Sequence, residues 1–172
     1  MKNRVSAKAS ELQKFMRRPL VLVFLFAILR VGTALADAAG DVTRLLELSE
    51  KLRPGMTIEA LNDLLGPPAE AYHFGGRAAG TVRYQWLHGN MGVSAYEVEG
   101  AAYRVDITLP CGSASEAEKA MGALTRQGEA KYGPTSHDRS KGRRYYWVRD
   151  GIRFAYFKYD STTVQSSRTL ER

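Results

Sequence analysis

The residues that could support catalysis are few and scattered along the chain. Cys111 is the one cysteine of the 172 residues, so an internal disulfide and a multi-cysteine zinc site are excluded. It is the one candidate nucleophile, and it precedes a predicted helix start, where a thiolate could be favoured. Because no local motif pairs it with a histidine, a buried or unreactive thiol is the preferred interpretation. The three histidines share no spacing typical of metal ligands: they are His73, His88 and His137. The sequence therefore predicts a protein without enzymatic activity, metal or cofactor.

A second group of residues is better suited to binding than to catalysis. Residues 131–172 carry ten basic and four acidic side chains, whereas residues 37–130 carry eight basic and thirteen acidic ones. Arginine and aromatic residues together are enriched at the energetic centres of protein interfaces. The alternative is that these cations keep an edge hairpin soluble while the aromatic residues form core. The predicted protein-binding residues are Arg144, Tyr146, Arg149, Arg153, Phe157 and Lys158.

The net charge indicates which partners to expect. The chain has 25 basic and 18 acidic residues, a formal charge of +7. Its first 36 residues hold seven of the basic residues and one acidic residue, which leaves the remainder at +1. A nearly neutral remainder does not predict a nucleic-acid partner. The basic C-terminal region instead favours an acidic protein surface or anionic lipid headgroups.

The N-terminal segment has the pattern of a secretory signal peptide. Residues 19–29 are an uninterrupted apolar run, preceded by Arg17 and Arg18 and followed by the small-residue pattern of residues 34–36. A spanning helix needs about 20 apolar residues, and Arg30 interrupts this run too early. We expect cleavage after Ala36, and translation starting at Met1 or at Met16. Because no cysteine stands directly after the apolar run, the expected product is periplasmic or secreted and not lipid-anchored.

Helix signals occur at three places after this segment. A first helix is predicted from Asp41, as its cap, to about Leu52. A second is capped by Thr57 and ends at Gly66. A third is predicted over residues 115–131, where Ser113 and Glu116 have the spacing of a capping box.

Strand signals follow the second and third helices. Hydrophobic residues alternate with polar ones in three neighbouring segments, as expected for an antiparallel meander buried on one face: 82–86, 94–98 and 103–109. Residues 70–74 give a weaker signal, and residues 135–142 suit a loop or a poor edge strand. Asp150-Gly151 predicts a tight hairpin between strands 143–149 and 152–159, pairing Trp147 with Phe154 and Tyr145 with Tyr156 on the core face.

The predicted fold class is therefore α+β. A two-helix hairpin packs on an antiparallel meander, followed by a helix and a β-hairpin. We divide the chain into residues 1–36, 37–110 and 111–172. Two short patterns recur: Leu65-Gly66-Pro67 resembles Tyr132-Gly133-Pro134, 67 residues later, and Tyr84-Gln85-Trp86 resembles Tyr145-Tyr146-Trp147, 61 residues later. Because these spacings differ, one continuous sheet and two repeated helix–sheet units both remain open.

One motif of the second helix and the following strand resembles the signature of the SmpA/OmlA (BamE-like) domain. It comprises Gly55, Met56, Thr57, Leu61, Leu65, Gly66, Pro68, Tyr84 and Trp86. That family, and the similar β-lactamase inhibitor proteins, place two short helices on an antiparallel sheet. The resemblance covers roughly residues 52–109. It implies a cell-envelope adaptor or assembly-type factor, although the lipidation cysteine typical of the family is lacking.

The remaining chain suggests an alternative within the same resemblance. About sixty residues continue past the matched region, and a second helix–sheet unit there would look more like β-lactamase inhibitor proteins, whose tandem units form a protein-binding surface. The alternative function is therefore an inhibitor or immunity-type protein that blocks an envelope or secreted enzyme.

Overall fold

The computed structural model describes residues 38–75, 79–138 and 144–171. All of them belong to one compact unit, Asp37–Arg172. The predicted signal segment lies outside the described residues. The helices are α1 (Ala38–Lys51), α2 (Ile58–Leu65) and α3 (Ala114–Tyr132). The strands are β1 (Glu70–His73), β2 (Val82–His88), β3 (Met91–Val98), β4 (Ala101–Pro110), β5 (Ser136–Asp138), β6 (Arg144–Arg149), β7 (Ile152–Lys158) and β8 (Thr163–Leu170).

The helix boundaries follow their capping residues, with one exception. Thr57 and Ser113 accept hydrogen bonds from the backbone N–H groups of Ala60 and Glu116, as predicted for N-caps. The prediction that Asp41 caps α1 is wrong, because α1 begins at Ala38 and Asp41 lies in its first turn. There its carboxylate accepts a hydrogen bond from the Asn90 side chain at 3.1 Å.

The strands form one antiparallel sheet in the order β1-β2-β3-β4-β8-β7-β6-β5. The α+β prediction is confirmed, and so is the hairpin register, which pairs Trp147 with Phe154 and Tyr145 with Tyr156. The strand in the middle of the sheet was not anticipated. β8 is formed by a polar stretch, yet it pairs with β4 on one side and β7 on the other.

The sheet consists of two similar halves joined at the β4–β8 pair. In the first, α2 precedes β1–β4, and in the second, α3 precedes β5–β8. Each helix ends at a glycine with positive φ, 82° at Gly66 and 86° at Gly133. The indole N–H of Trp86 donates to the Gly66 carbonyl at 3.0 Å, and that of Trp147 to the Gly133 carbonyl at 2.9 Å. The two recurring sequence patterns therefore occupy equivalent places.

The first connecting hairpin is longer, which explains why the two repeat spacings differ. Ala71 pairs with Tyr84, thirteen residues later, whereas His137 pairs with Tyr145, eight residues later. The first hairpin is thus five residues longer. The connection from Gly66 to β1 is also one residue longer than the connection from Gly133 to β5. Together these six residues account for the difference between 67 and 61. The structure thus combines the two alternatives: one continuous sheet, built from two related halves.

The hydrophobic core lies between the helices and one face of the sheet. Leu45 of α1, Leu52 just after α1 and Leu61 of α2 are fully buried. α3 contributes Leu124, and the largest fully buried apolar side chains of the sheet are Val93, Ile107, Leu109 and Val164. Burying side chains of this size contributes roughly 1.5–3 kcal/mol each. We call this side of the sheet the helix face, and its packing against the helices stabilises the fold.

A charged cluster fastens α1 to the helix face. Arg168, buried in β8, donates to the Glu50 carboxylate at 2.9 Å, and Lys131 of α3 approaches the same oxygen at 2.7 Å. The Arg168 guanidinium also lies over the Phe154 ring, 4.9 Å from its centre. Partial burial alone would raise the pKa of Glu50, but the Lys131 hydrogen bond and the positive charge of Arg168 leave it below its ordinary value of 4.5.

Glu50→Gln is expected to reduce the loss of unfolding free energy that occurs as the pH falls below about 4.5. A carboxyl whose pKa is lowered by folding stabilises the protein fully above its unfolded pKa, and this contribution is lost as pH falls below about 4.5. Because Glu50 is partly exposed, the loss should be about 1 kcal/mol or less. Urea unfolding between pH 3 and pH 7 measures it. Glu47→Gln, on the exposed side of α1, is the control. Identical pH profiles for Glu50→Gln and the parent chain would contradict the role of the cluster.

Candidate binding site on the open face of the sheet

The second face of the sheet is not covered by any of the described helices. We call it the open face, and its side chains alternate with those of the core. They are mostly arginine, aromatic and hydroxyl or amide residues: Arg83, Gln85, Ser94, Tyr96, Arg104, Asp106, Arg144, Tyr146, Arg153, Phe157, Gln165 and Ser167.

Two adjoining clefts lie on the open face. The first, about 290 Å³, is lined on β6 and β7 by Arg144, Tyr146, Arg153 and Phe157. The second, about 400 Å³, extends across β2, β3 and β4 and includes Arg83. Arg104, Arg144 and Phe157 line both clefts. Together the clefts form a groove that crosses from one half of the sheet to the other.

The floor of this groove is polar but shielded from solvent. Asp106 and Gln165 are each 4% exposed and Ser167 is 6% exposed, although no described helix covers them. Neighbouring long side chains, such as Arg104 and Phe157, provide the cover. Polar groups in a sheltered floor are suited to orient a bound molecule, while apolar walls supply contact area.

Two of the groove arginines are held by carboxylates. Arg104 forms a two-pronged ion pair with Asp106, with nitrogen–oxygen distances of 2.9 and 2.7 Å. Burial alone would lower the pKa of Arg104, but hydrogen bonds and charge from Asp106 raise it, so the guanidinium remains charged. Arg153 pairs with Glu171, its Nε donating at 2.7 Å. These four charges neutralise one another within the groove.

The other two arginines have aromatic neighbours instead of carboxylates among the described side chains. Arg144 lies over the Phe157 ring at 4.7 Å, and Arg83 lies 5.7 Å from the Tyr72 ring centre. The Nε atom of each is buried and has no hydrogen-bond acceptor within the described part of the chain. A buried donor without an acceptor costs about 1–3 kcal/mol. Because neither Nε is accessible, a ligand in the groove would meet the terminal guanidinium nitrogens.

The structure divides the six predicted binding residues into two groups. Arg144, Tyr146, Arg153 and Phe157 line the first cleft together. Arg149 instead donates to the Tyr132 carbonyl at 2.8 Å and so provides a hydrogen bond to a backbone carbonyl at the end of α3. Lys158 lies on the helix face and pairs with Glu118 at 2.9 Å. Strand alternation explains the division, because Arg149 and Lys158 fall on the register positions that face the helices.

The groove also includes residues that were not predicted from the sequence to bind a partner. Arg83, Tyr96, Arg104 and Asp106 come from the first half of the sheet. A signal for Arg83 was present, since Arg83-Tyr84-Gln85-Trp86 repeats as Arg144-Tyr145-Tyr146-Trp147. Aligning the two patterns by their tryptophans places Arg83 at the position equivalent to Arg144.

The residues of the family motif support the fold. Gly55 has a φ of 91°, and its N–H donates to the Ala102 carbonyl at 2.7 Å. Thr57 caps α2 and Leu61 is fully buried. Met56, Leu65 and Tyr84 pack against the core. Gly66, just before Pro68, ends α2 and accepts the Trp86 hydrogen bond described above.

Cys111 lies in an environment that favours the thiol. Its sulfur is half-buried, 3.8 Å from the Leu109 carbonyl oxygen. Burial raises the pKa of Cys111, and the nearby Glu116 carboxylate raises it further. This environment agrees with the preferred interpretation of an unreactive thiol and not with a thiolate favoured by the helix start. Within the described residues, no group of three or more histidine, cysteine or acidic side chains could hold a metal ion.

Comparison with known proteins gives no family assignment. No family model matches the chain, and no curated protein matches it. One similar solved structure is a cysteine-rich secretory protein from Staphylococcus aureus subsp. aureus Mu50, with 14% identity and a TM-score of 0.39. That match covers 69% of this chain and 44% of the staphylococcal one. No helix in the described ranges is long and apolar enough to cross a membrane.

Proposed function

We propose that this chain is an exported, non-enzymatic protein-binding module that engages another envelope or secreted protein through its open face. The observation that supports this most is the groove, where Arg144 and Arg83 lie against aromatic rings with a buried Nε that lacks an acceptor. Arginine packed against aromatic residues is typical of interface hot spots. The signal-peptide pattern of residues 17–36 supports export.

Two modes of action fit this proposal. The Gly55-to-Pro68 motif favours a BamE-like adaptor or assembly-type factor. The two-half sheet favours an inhibitor or immunity-type protein, because a groove lined by both halves gives a partner one continuous surface. We favour the inhibitor mode, since the groove uses residues of both halves whereas the motif serves the fold.

Arg144→Glu combined with Tyr146→Ala is expected to weaken partner binding at least tenfold and to leave the fold intact. Both side chains are partly exposed on the open face, so their replacement opens no core cavity. A charge reversal opposes an acidic partner, and the tyrosine loss removes contact area. The measurement is affinity capture from envelope extract, with tagged Asp37–Arg172 as bait and quantitative mass spectrometry as readout.

The matched control is Lys119→Glu combined with Arg126→Ala, two exposed positions of α3 on the helix side. A partner that is retained by the control bait and lost by the open-face variant supports the proposal. Equal capture by both variants would remove the open face as the binding site. Absence of any specific partner would contradict both modes.

The captured partner distinguishes the two modes. Outer-membrane assembly proteins would support the adaptor. A single hydrolase or toxin, inhibited at a 1:1 ratio by the purified chain, would support the inhibitor. A captured enzyme whose activity is unchanged at saturation would exclude inhibition of that enzyme.

A further inference from the structure

We propose that the open face recognises an acidic peptide segment of the partner, whose carboxylates are bound by Arg83 and Arg144. This inference rests on the proposed function and specifies the chemistry of its partner. It begins with the observation that these two arginines are equivalent. They are 61 residues apart, the same spacing as Trp86 and Trp147, whose indole N–H groups bind equivalent helix ends.

The surroundings of the two arginines are equivalent as well. In the neighbouring strand, Arg83 is paired with Tyr96 and Arg144 with Phe157, again 61 residues apart. Both arginines line the 400 Å³ cleft. The two buried side-chain polar atoms without a hydrogen-bond partner in the described part of the chain are the Nε atoms of these residues. Both arginines thus have the same enclosed Nε, which leaves their terminal nitrogens to contact a ligand.

The charges of the groove favour an anionic ligand. The two carboxylates among its described lining residues, Asp106 and Glu171, are already paired with Arg104 and Arg153. Arg83 has no carboxylate partner among the described side chains, and the register places Asp138 of β5 opposite Arg144. Because each Nε is enclosed, the two terminal nitrogens of a guanidinium form the planar fork that matches the two oxygens of a carboxylate.

The dimensions of the groove favour an extended peptide over a small anion. Along the sheet, β2 and β6 are separated by five inter-strand spacings, roughly 24 Å at about 4.8 Å each. Because the two arginine side chains line the same cleft, the span to be covered is shorter, and up to about seven extended residues suffice. The floor between the two arginines carries amide and hydroxyl side chains, Gln85, Ser94 and Gln165, which can bind peptide N–H and C=O groups. The aromatic walls supply apolar contact.

The same features argue against a polyanion such as nucleic acid or an anionic membrane. Among the described residues that line the two clefts there is no lysine, and the chain after residue 36 carries a net charge of only +1. Long-range attraction of a polyanion needs a strongly basic surface. A short segment with a few well-placed carboxylates needs only the two arginines.

The test follows the two Nε–H groups by NMR in the ¹⁵N-labelled full chain. The probe is a seven-residue peptide of glycine and serine with glutamate at both ends, and its control has glutamine at both ends. We expect the Nε–H signals of Arg83 and Arg144 to shift together during the glutamate titration. The glutamate peptide should bind at least tenfold more tightly than the glutamine peptide.

Variants assign the effect to the two residues. Arg83→Gln and Arg144→Gln should each weaken binding of the glutamate peptide about fivefold or more, and Arg126→Gln on α3 should leave it unchanged. Amide spectra of each variant report whether the fold is retained, and an unfolded variant is replaced by the corresponding lysine variant, which keeps charge but loses the fork. Equal affinity for both peptides would overturn the inference. So would a response of the two Nε–H groups to phosphatidylglycerol vesicles or an oligonucleotide but not to the glutamate peptide.

The failure of this inference differs from the failure of the proposed function. If capture of a partner depends on Arg144 and Tyr146 but neither Nε–H responds to the glutamate peptide, the carboxylate assignment is wrong and the binding module stands. If both Nε–H groups respond but capture is indifferent to the open face, the groove binds carboxylates and the proposed function is wrong.

Discussion

A chain that ends at Thr162 is expected not to fold. This truncation removes β8, which pairs along its length with β4 and β7 in the middle of the sheet. It also removes fully buried Val164 and leaves one edge of β4 and one edge of β7 unpaired in the interior of the sheet. A domain of this size has a total stability of about 5–15 kcal/mol, less than the loss of two central ladders. Far-ultraviolet circular dichroism and thermal unfolding measure the result.

A chain that ends at Leu170 is the control for this truncation. It retains all of β8 and loses the ion pair between Arg153 and Glu171, which is partly exposed and worth about 1 kcal/mol or less. We expect it to unfold cooperatively at a melting temperature close to that of the parent chain. A cooperative transition in the chain ending at Thr162 would show that the sheet does not depend on its central strand.

Gly128→Ala is expected to destabilise the protein by about 1–3 kcal/mol, although alanine is the better helix former. An added Cβ at Gly128, in α3, would lie 2.4 Å from the Trp147 Cη2 atom and within 3.0 Å of two further ring atoms. The Trp147 ring has little freedom to yield, because its N–H is bonded to the Gly133 carbonyl and its faces contact Tyr132 and Tyr156. Urea unfolding monitored by tryptophan fluorescence measures the loss.

Gly122→Ala in the same helix provides the matched control. Its added Cβ would meet an Arg126 side-chain nitrogen at 3.6 Å, which is ordinary contact with a flexible group. Only the gain in helix propensity remains there, so this variant should be more stable by about 0.5–1 kcal/mol. We therefore expect the two substitutions to change the free energy of unfolding in opposite directions. A stabilised Gly128→Ala variant would contradict the close packing of α3 on Trp147.

The sequence correctly predicted those elements whose turn residues, caps and hydrophobic alternation match their positions in the folded chain. The Asp150-Gly151 turn and its alternating aromatic neighbours predicted the register of β6 and β7 correctly. The caps at Thr57 and Ser113 were predicted for the same reason, since capping depends on residues within one turn. The start of α1 was placed four residues late because Asp41 resembles a cap, although its carboxylate accepts a hydrogen bond from Asn90 of a distant hairpin.

β8 could not be predicted from local patterns. Its residues Gln165 to Arg168 are polar, and they are buried through contacts that exist only after the two halves have joined. Arg168 illustrates this point, because its burial depends on Glu50, 118 residues earlier in the chain. Hydrophobic alternation detects strands that are buried by apolar neighbours, not strands whose polar groups find distant partners.

The candidate site was predicted in part. Choosing residues by charge and aromatic character identified the β6–β7 side of the groove, but also included Arg149 and Lys158, which strand alternation assigns to the other face. The β2–β4 side was missed because its arginines are dispersed among acidic residues and do not stand out in composition. Only the repeated Arg-Tyr-x-Trp pattern connects the two sides.

The position of β8 also determines when this protein can fold during its synthesis. Every other described strand precedes β8 in the chain, so the middle of the sheet is produced after both of its flanks. A chain that emerges from N- to C-terminus cannot close the sheet until residues 163–170 have appeared. The β4–β8 pairing joins residues that are about sixty positions apart, which favours slow folding. Under the proposed export as an unfolded chain, this order would delay the compact state until most of the polypeptide has passed through the membrane.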